Sequence, residues 1–136
     1  MRVFFDTNVL VSAFATRGLC ADVFRVALSE HVIITGECNL VELRRVLSSK
    51  FKMPDPVIDD IEKFLREYEI VPVPKNGPPV SIRDPNDDSV LASAIAGKAD
   101  VLVTGDSEML ELGNRFPISI VNPRGFWSML RGKSEK

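Results

Sequence analysis

Four carboxylates, Asp6, Glu42, Asp88 and Asp106, stand where an open α/β sheet would gather them into one pocket. Asp6 closes the apolar run Val3-Phe4-Phe5, and Asp106 follows Val101-Leu102-Val103. Short apolar runs of this kind read as buried strands. A parallel sheet binds its ligand outside the carboxyl ends of its strands, so both acids face that crevice. Asp88 opens a helical stretch, and Glu42 lies inside another. Like charges at close range repel unless a cation intervenes. The pattern predicts a site for a hard divalent metal ion, and the chemistry such a site serves is that of phosphodiesters.

Each acid also has a plainer use. Asp6 suits the N-cap of the helix that follows it. Asp106 holds the same kind of place, in Thr104-Gly105-Asp106, and two strand-end acids in one chain point to a shared site. In Asp84-Pro85-Asn86-Asp87-Asp88, Asp84 suits the N-cap and Asp87 the first turn, where the helix dipole favours an anion. Asp88 lies in line with Leu91, Ala92 and Ile95 at i+3, i+4 and i+7, the stripe expected to pack on the sheet. A carboxylate on that face is costly unless paired or metal-bound, which selects Asp88 and keeps Asp87 in reserve. Glu42 flanks the stripe Leu40, Leu43, Val46 and Leu47, where simple solvation serves equally well. Arg44 and Arg45 beside it suit either salt bridges or a phosphate backbone. Arg17, Lys75, Arg83, Lys98 and Arg124, in loops or at element ends, are further cations for such a backbone.

The elements that must position these residues alternate along the chain. Strands are expected at Val3–Phe5, Val32–Ile34, Glu69–Val73, Val101–Thr104 and Ile118–Val121. Helices are expected at Val9–Ala15, Leu19–Ser29, from Thr35-Gly36 to about Ser49, and after Pro54 and Pro56 with Val57, Ile58, Ile61, Phe64 and Leu65. Others follow from Asp84-Pro85 to Ala96, ended by Gly97, over Glu108–Leu112, and after Pro123. Pro72 inside the third strand places it near an edge. Lys75–Ser81, rich in Pro and Gly, is a loop. Alternation of this kind implies a mostly parallel sheet of about five strands with helices on both faces, a three-layer α/β/α fold. One domain over residues 1–130 is expected, with a polar tail at 131–136.

Composition bounds the rest. At 136 residues, 45% hydrophobic and 26% charged, the chain suits a single soluble domain with a real core. A net charge of −2 argues against binding nucleic acid by charge alone, though not against metal-assisted contact with phosphates. Cys20 and Cys38 make neither a metal motif nor a disulfide framework, and read as small apolar side chains in a reducing cytoplasm. The longest apolar runs are too short to span a membrane, and the first residues do not resemble a signal peptide. His31, the only histidine, reads as a turn residue. No partners for a Ser-His-Asp or zinc site accompany it, and no phosphate-binding glycine motif is present.

Five segments in order resemble one family across essentially the whole chain. They are Phe5-Asp6-Thr7-Asn8-Val9-Leu10, Glu42-Leu43-Arg44-Arg45-Val46-Leu47, Asp84-Pro85-Asn86-Asp87-Asp88, Leu102-Val103-Thr104-Gly105-Asp106 and Pro123-Arg124-Gly125-Phe126. Together they resemble PIN-domain ribonucleases, in particular the VapC-like toxins of toxin–antitoxin pairs. The resemblance implies one or two Mg²⁺ or Mn²⁺ ions held by Asp6, Glu42, Asp88 and Asp106, with Asp88 chosen over Asp87 by its spacing to Thr-Gly-Asp. It implies supporting roles for Thr104 and Asn8. It implies metal-dependent endonucleolytic hydrolysis of RNA, single-stranded by expectation, leaving a 5′-phosphate and a 3′-hydroxyl. It also implies an antitoxin partner and a homodimer. Many members carry Arg where this chain has Gly105, but all four acids are present. The patch Phe14, Leu19 and Phe24 suits either dimerisation or, more simply, the core.

Two other readings keep the fold. A free-standing nuclease of RNA processing, or a regulatory interaction module without activity, would show the same elements. Phosphotransferases with an aspartate after the first strand are disfavoured, because Asn8 stands where a dehalogenase-like phosphatase needs a second Asp. A receiver domain needs a Lys after a late strand, and Thr104-Gly105-Asp106 supplies none.

Overall fold

The computed structural model describes residues 1–78 and 85–134. Five strands, β1 (Arg2–Phe5), β2 (Val32–Gly36), β3 (Glu69–Val71), β4 (Val101–Val103) and β5 (Ser119–Val121), form one sheet in the order β3-β2-β1-β4-β5. All four strand pairs are parallel. The helices are α1 (Thr7–Ala15), α2 (Leu19–Glu30), α3 (Glu37–Ser49), α4 (Asp55–Leu65), α5 (Pro85–Ala96), α6 (Ser107–Leu112) and α7 (Pro123–Ser134), with a 3-10 turn at Gly113–Arg115. This is the three-layer α/β/α arrangement expected from the alternation.

The order explains the layers. From β1 to β3 the chain steps in one direction, and right-handed crossovers put the intervening helices on one face. It then jumps back over β1 to β4 and steps the other way, which puts the next helices on the opposite face. Two cores follow. Val3, Phe5, Ile33, Val101 and Val103 face α1 to α4 and α7, whereas Phe4, Ile34 and Leu102 face α5 and α6. The two-residue period sends neighbouring side chains of each strand to opposite cores.

Element ends differ from expectation in instructive ways. β3 stops at Val71, because Pro72 has no N–H to extend the ladder, and β3 is an edge strand as Pro72 implied. Gly97 was expected to end α5 through a left-handed backbone, but Lys98 holds that conformation at φ 56°. The Ala99 amide donates to the Ala94 carbonyl and the Lys98 amide to Ile95, both at 3.0 Å, a Schellman closure with Lys98 in the glycine position. Gly97 is small for another reason. A Cβ there would lie 2.8 Å from Val71 Cγ2 and 3.0 Å from Ile34 Cγ2, so α5 reaches the sheet only without it.

The final helix runs on through Ser134, past the point where a polar tail was expected. Asp84, Arg83 and the end of the Lys75–Ser81 loop lie outside the described residues. His31 sits at the turn between α2 and β2, where the chain's ammonium group donates to its Nδ1 at 3.1 Å. Phe24 is core, and Phe14 packs edge-on against Phe24 and Phe64 with Leu19 beside the same core. Phe24 is thus core, and Phe14 and Leu19 are half-buried side chains packed against it. Cys20 and Cys38 are free, half-buried thiols, each pushed up in pKa by burial. No helix among the described residues is long and apolar enough to cross a membrane.

Candidate active site

β1 and β4 lie side by side in the sheet, and the chain changes its direction of winding between them. That switch point opens a crevice at the strands' carboxyl ends. Phe5 pairs with Val103, so the next residues, Asp6 and Thr104, enter the crevice together. The Asp6 amide still donates to the Val103 carbonyl at 2.9 Å.

Asp6 is 5% exposed and caps α1. Its Oδ1 accepts from the Thr7 amide at 2.8 Å, and its Oδ2 accepts from the Thr104 hydroxyl at 2.7 Å. The Thr104 oxygen in turn accepts from the Asp106 amide at 3.0 Å. Asp106 caps α6, taking the Glu108 and Met109 amides at 2.8 and 3.2 Å. Capping and site formation are thus the same act, because each acid ends a strand and begins a helix. Asn8 closes the group: its carboxamide oxygen accepts from the Gly105 amide at 3.2 Å, and its nitrogen stands 3.5 Å from Asp6 Oδ2.

The two caps open into a cleft of about 640 Å³. Its walls include Asp6, Asn8, Glu42, Asp87 and Asp106. Glu42, on α3, is chelated by Arg45, with Nη2–Oε1 at 2.5 Å and Nε–Oε2 at 3.2 Å. Arg44 instead bridges to Asp59 and Glu62 on α4, so it is taken up between helices. Asp88 is half-buried and is not among the residues lining the cleft, where Asp87 stands instead. Val90, Leu91 and Ala94, at i+3, i+4 and i+7 from Asp87, join the core, and so do Leu91, Ala92 and Ile95, at i+3, i+4 and i+7 from Asp88. The stripe expected from Leu91, Ala92 and Ile95 is therefore part of the buried face, and both acids stand at its edge, with Asp87 on the cleft side.

Among the expected cations, Lys98 lies beside Arg2, whose side chain caps the Lys98 carbonyl at 3.2 Å. That is the amino end of the sheet, opposite the cleft. Arg124, in the first turn of α7, follows the carboxyl end of β5.

Burial raises the Asp6 pKa most, the Thr104 and Thr7 hydrogen bonds oppose this, and the charges of Asp106 and Glu42 add to the rise. Asp6 has no ion-pair partner among the described residues. A buried carboxylate without a cation costs several kcal/mol. That uncompensated charge, and an oxygen-only set of donors, fit a hard divalent ion. Among the described residues no three of His, Cys, Asp and Glu stand in a ready ligand cluster. Arg45 holds both oxygens of Glu42, so an ion that took Glu42 as a ligand would compete with Arg45.

Two supporting residues escaped the sequence reading. Asn39, fully buried on α3, donates to the Thr7 hydroxyl at 2.9 Å and ties α3 to the start of α1. The signal was present: Asn39 is i+4 from Leu43, a polar residue on an apolar stripe. Thr7 itself lines the cleft, where sequence suggested only a turn.

No curated protein matches the sequence significantly. The fold is similar to the crystal structure of VapBC2 from Rickettsia felis bound to a DNA fragment from their promoter, with a TM-score of 0.64 and 21% identity over 90% of this chain and 98% of that one. The family model for the PIN domain matches residues 2–108, a span that takes in Asp6, Glu42, Asp87, Asp88, Thr104 and Asp106. The chain therefore belongs to the PIN-domain family, a family of nucleases.

Proposed function

We propose that the protein is a metal-dependent endoribonuclease and the toxin of a toxin–antitoxin pair. The observation that carries this is the buried, cation-free Asp6 carboxylate, joined through Thr104 to Asp106 at the mouth of one cleft with Glu42 and Asp87. Asp6, Glu42, Asp106 and an acid at the start of α5 would hold one or two Mg²⁺ or Mn²⁺ ions against about −4 of carboxylate charge. When bound, the metal supplies Lewis acidity toward water and the phosphoryl oxygens.

The chain's own residues then set the geometry. Thr104 orients Asp6 by donating to Oδ2, and it leaves the carboxylate only its other lone pairs for the cleft. Asn8 holds the Gly105 amide, and with it the approach to Asp106. The helix starts at Thr7 and Ser107 place amide dipoles beside the two acids. Water attacks phosphorus in line as the P–O3′ bond breaks, giving a 5′-phosphate and a 3′-hydroxyl. Likeness of fold to VapBC2 supports an antitoxin partner, and the family resemblance supports a homodimer and a cytoplasmic setting.

Cleavage of end-labelled single-stranded RNA in Mn²⁺ or Mg²⁺ tests the proposal, with EDTA and the Asp6→Asn/Asp106→Asn double variant as controls. Activity abolished by both is expected. Cleavage that persists in the double variant would show that the site is misassigned. Sedimentation of the purified protein, alone and with its co-expressed neighbour gene product, tests the dimer and the antitoxin.

A further inference from the structure

The acids occupy only one end of the cleft. Beyond them the lining includes Val11, Ser12, Val41, Val46, Lys50 and Phe51. Val41 is 70% exposed and Phe51 39% exposed, large apolar groups left facing the same cavity as four carboxylates. Lys50 is the only cation among the described residues lining it. Glu42, Val46 and Lys50 fall at i, i+4 and i+8, one ridge along α3 from the acids to the aromatic ring. Eight residues of helix span about 12 Å, enough for a nucleotide to lie between the acids and Phe51.

The turn after α3 fixes that ring. The Lys50 amide donates to Val46 at 2.9 Å, and the Met53 amide returns to Leu47 at 3.0 Å. Lys52 adopts φ 53° between them, a left-handed backbone that L side chains take only under constraint. This turn carries Phe51 to the cleft, where its side chain stays partly exposed.

We propose that this wall is a nucleobase subsite: Phe51 stacks an unpaired base next to the scissile phosphate, Val41 and Val46 flank it, and Lys50 meets the adjoining phosphate. The inference rests on the ribonuclease reading and adds the residues of this chain that would grip an unpaired base. Apart from Ser12 and Lys50, this lining is apolar, so it offers a surface for a base face more than donors and acceptors for its edge. A base inside a duplex offers no free face, and the deep groove of A-form RNA shuts out side chains.

The test separates kcat from KM for a short single-stranded RNA in Mn²⁺, and measures the affinity of the same oligonucleotide in EDTA by fluorescence anisotropy. Phe51→Ala is expected to raise KM and weaken binding about tenfold, with kcat nearly unchanged, whereas Phe51→Trp retains both. Lys50→Gln is expected to weaken binding and flatten its salt dependence. An oligonucleotide abasic beside the cleavage point should bind wild type about tenfold less tightly, yet bind Phe51→Ala no worse than the intact strand does. Equal KM and affinity for wild type and Phe51→Ala, with cleavage still dependent on Asp6, would overturn the subsite and leave the nuclease standing. The same would follow if Phe51→Ala left RNA untouched but abolished binding of a protein partner. A wild type that neither cuts nor binds any RNA would bring down both.

Discussion

At the residue scale, Asp6 is a buried carboxylate with no ion-pair partner among the described residues. Burial and two neighbouring acids raise its pKa in the metal-free protein. A native carboxyl raised above its unfolded value binds more protons than the unfolded chain does, so stability falls as pH rises from the ordinary carboxylate range through the raised value. Asp6→Asn removes that loss while keeping an acceptor for the Thr7 amide. The variant should melt higher than wild type at neutral pH without metal, with the gain fading toward acid pH, and should not cut RNA. Thermal melts at several pH values check this, and a variant less stable than wild type at neutral pH would refute it. Thr104→Val removes the hydroxyl that orients Asp6 and should cost roughly 10–100-fold in metal affinity or cleavage, with Thr104→Ser keeping most of both. For the acid of α5, the cleft wall carries Asp87, so Asp87→Asn should weaken Mn²⁺ binding by calorimetry more than Asp88→Asn does. The reverse order would mean that spacing to Thr104-Gly105-Asp106 outweighs position on the wall.

At the scale of elements, α5 is the piece whose placement is most exacting. It begins at the cleft and ends on Gly97, which lets it lie against β2 and β3. Gly97→Ala would push a methyl to 2.8 Å from Val71 and should destabilise the protein by about 1–3 kcal/mol, measured by urea unfolding. Lys98→Gly should be tolerated, because Lys98 already holds the left-handed position that glycine prefers. If the two effects were reversed, Gly97 would be serving the turn rather than the packing.

At the scale of the whole molecule, the sheet order brings the carboxyl ends of β1 and β4 together and with them a cluster of charge that the fold alone leaves unbalanced. A divalent ion that binds only the native state stabilises it by mass action. Mn²⁺ at about a hundredfold excess over its dissociation constant should raise Tm on the order of 10 °C for a domain of this size. The Asp6→Asn/Asp106→Asn variant should show almost none of that shift. An equal rise in both proteins would place the ion elsewhere.

Strand–helix alternation, the edge position of β3 and the convergence of Asp6 and Asp106 were all legible in one dimension. They depend on local runs, on proline's missing N–H and on the rule that parallel strands offer their carboxyl ends to ligands. The sequence could equally well specify that α5 carries an acid at its start, because capping and charge are local. Which acid faces the cleft was not legible. A stripe of Leu91, Ala92 and Ile95 is as good a helical pattern as Val90, Leu91 and Ala94, both lie on the buried face, and only the placement of α5 on the sheet puts Asp87 on the cleft wall. Arg44 and Arg45 are neighbours in sequence, yet one turns to α4 and the other to Glu42, because the helix places them about 100° apart. Likewise the sequence assigned Gly97 to end α5, whereas Lys98 takes the left-handed position and Gly97 serves the close approach to the sheet. Residue type sets what chemistry is available; the phase of each helix against the sheet decides which side chain delivers it.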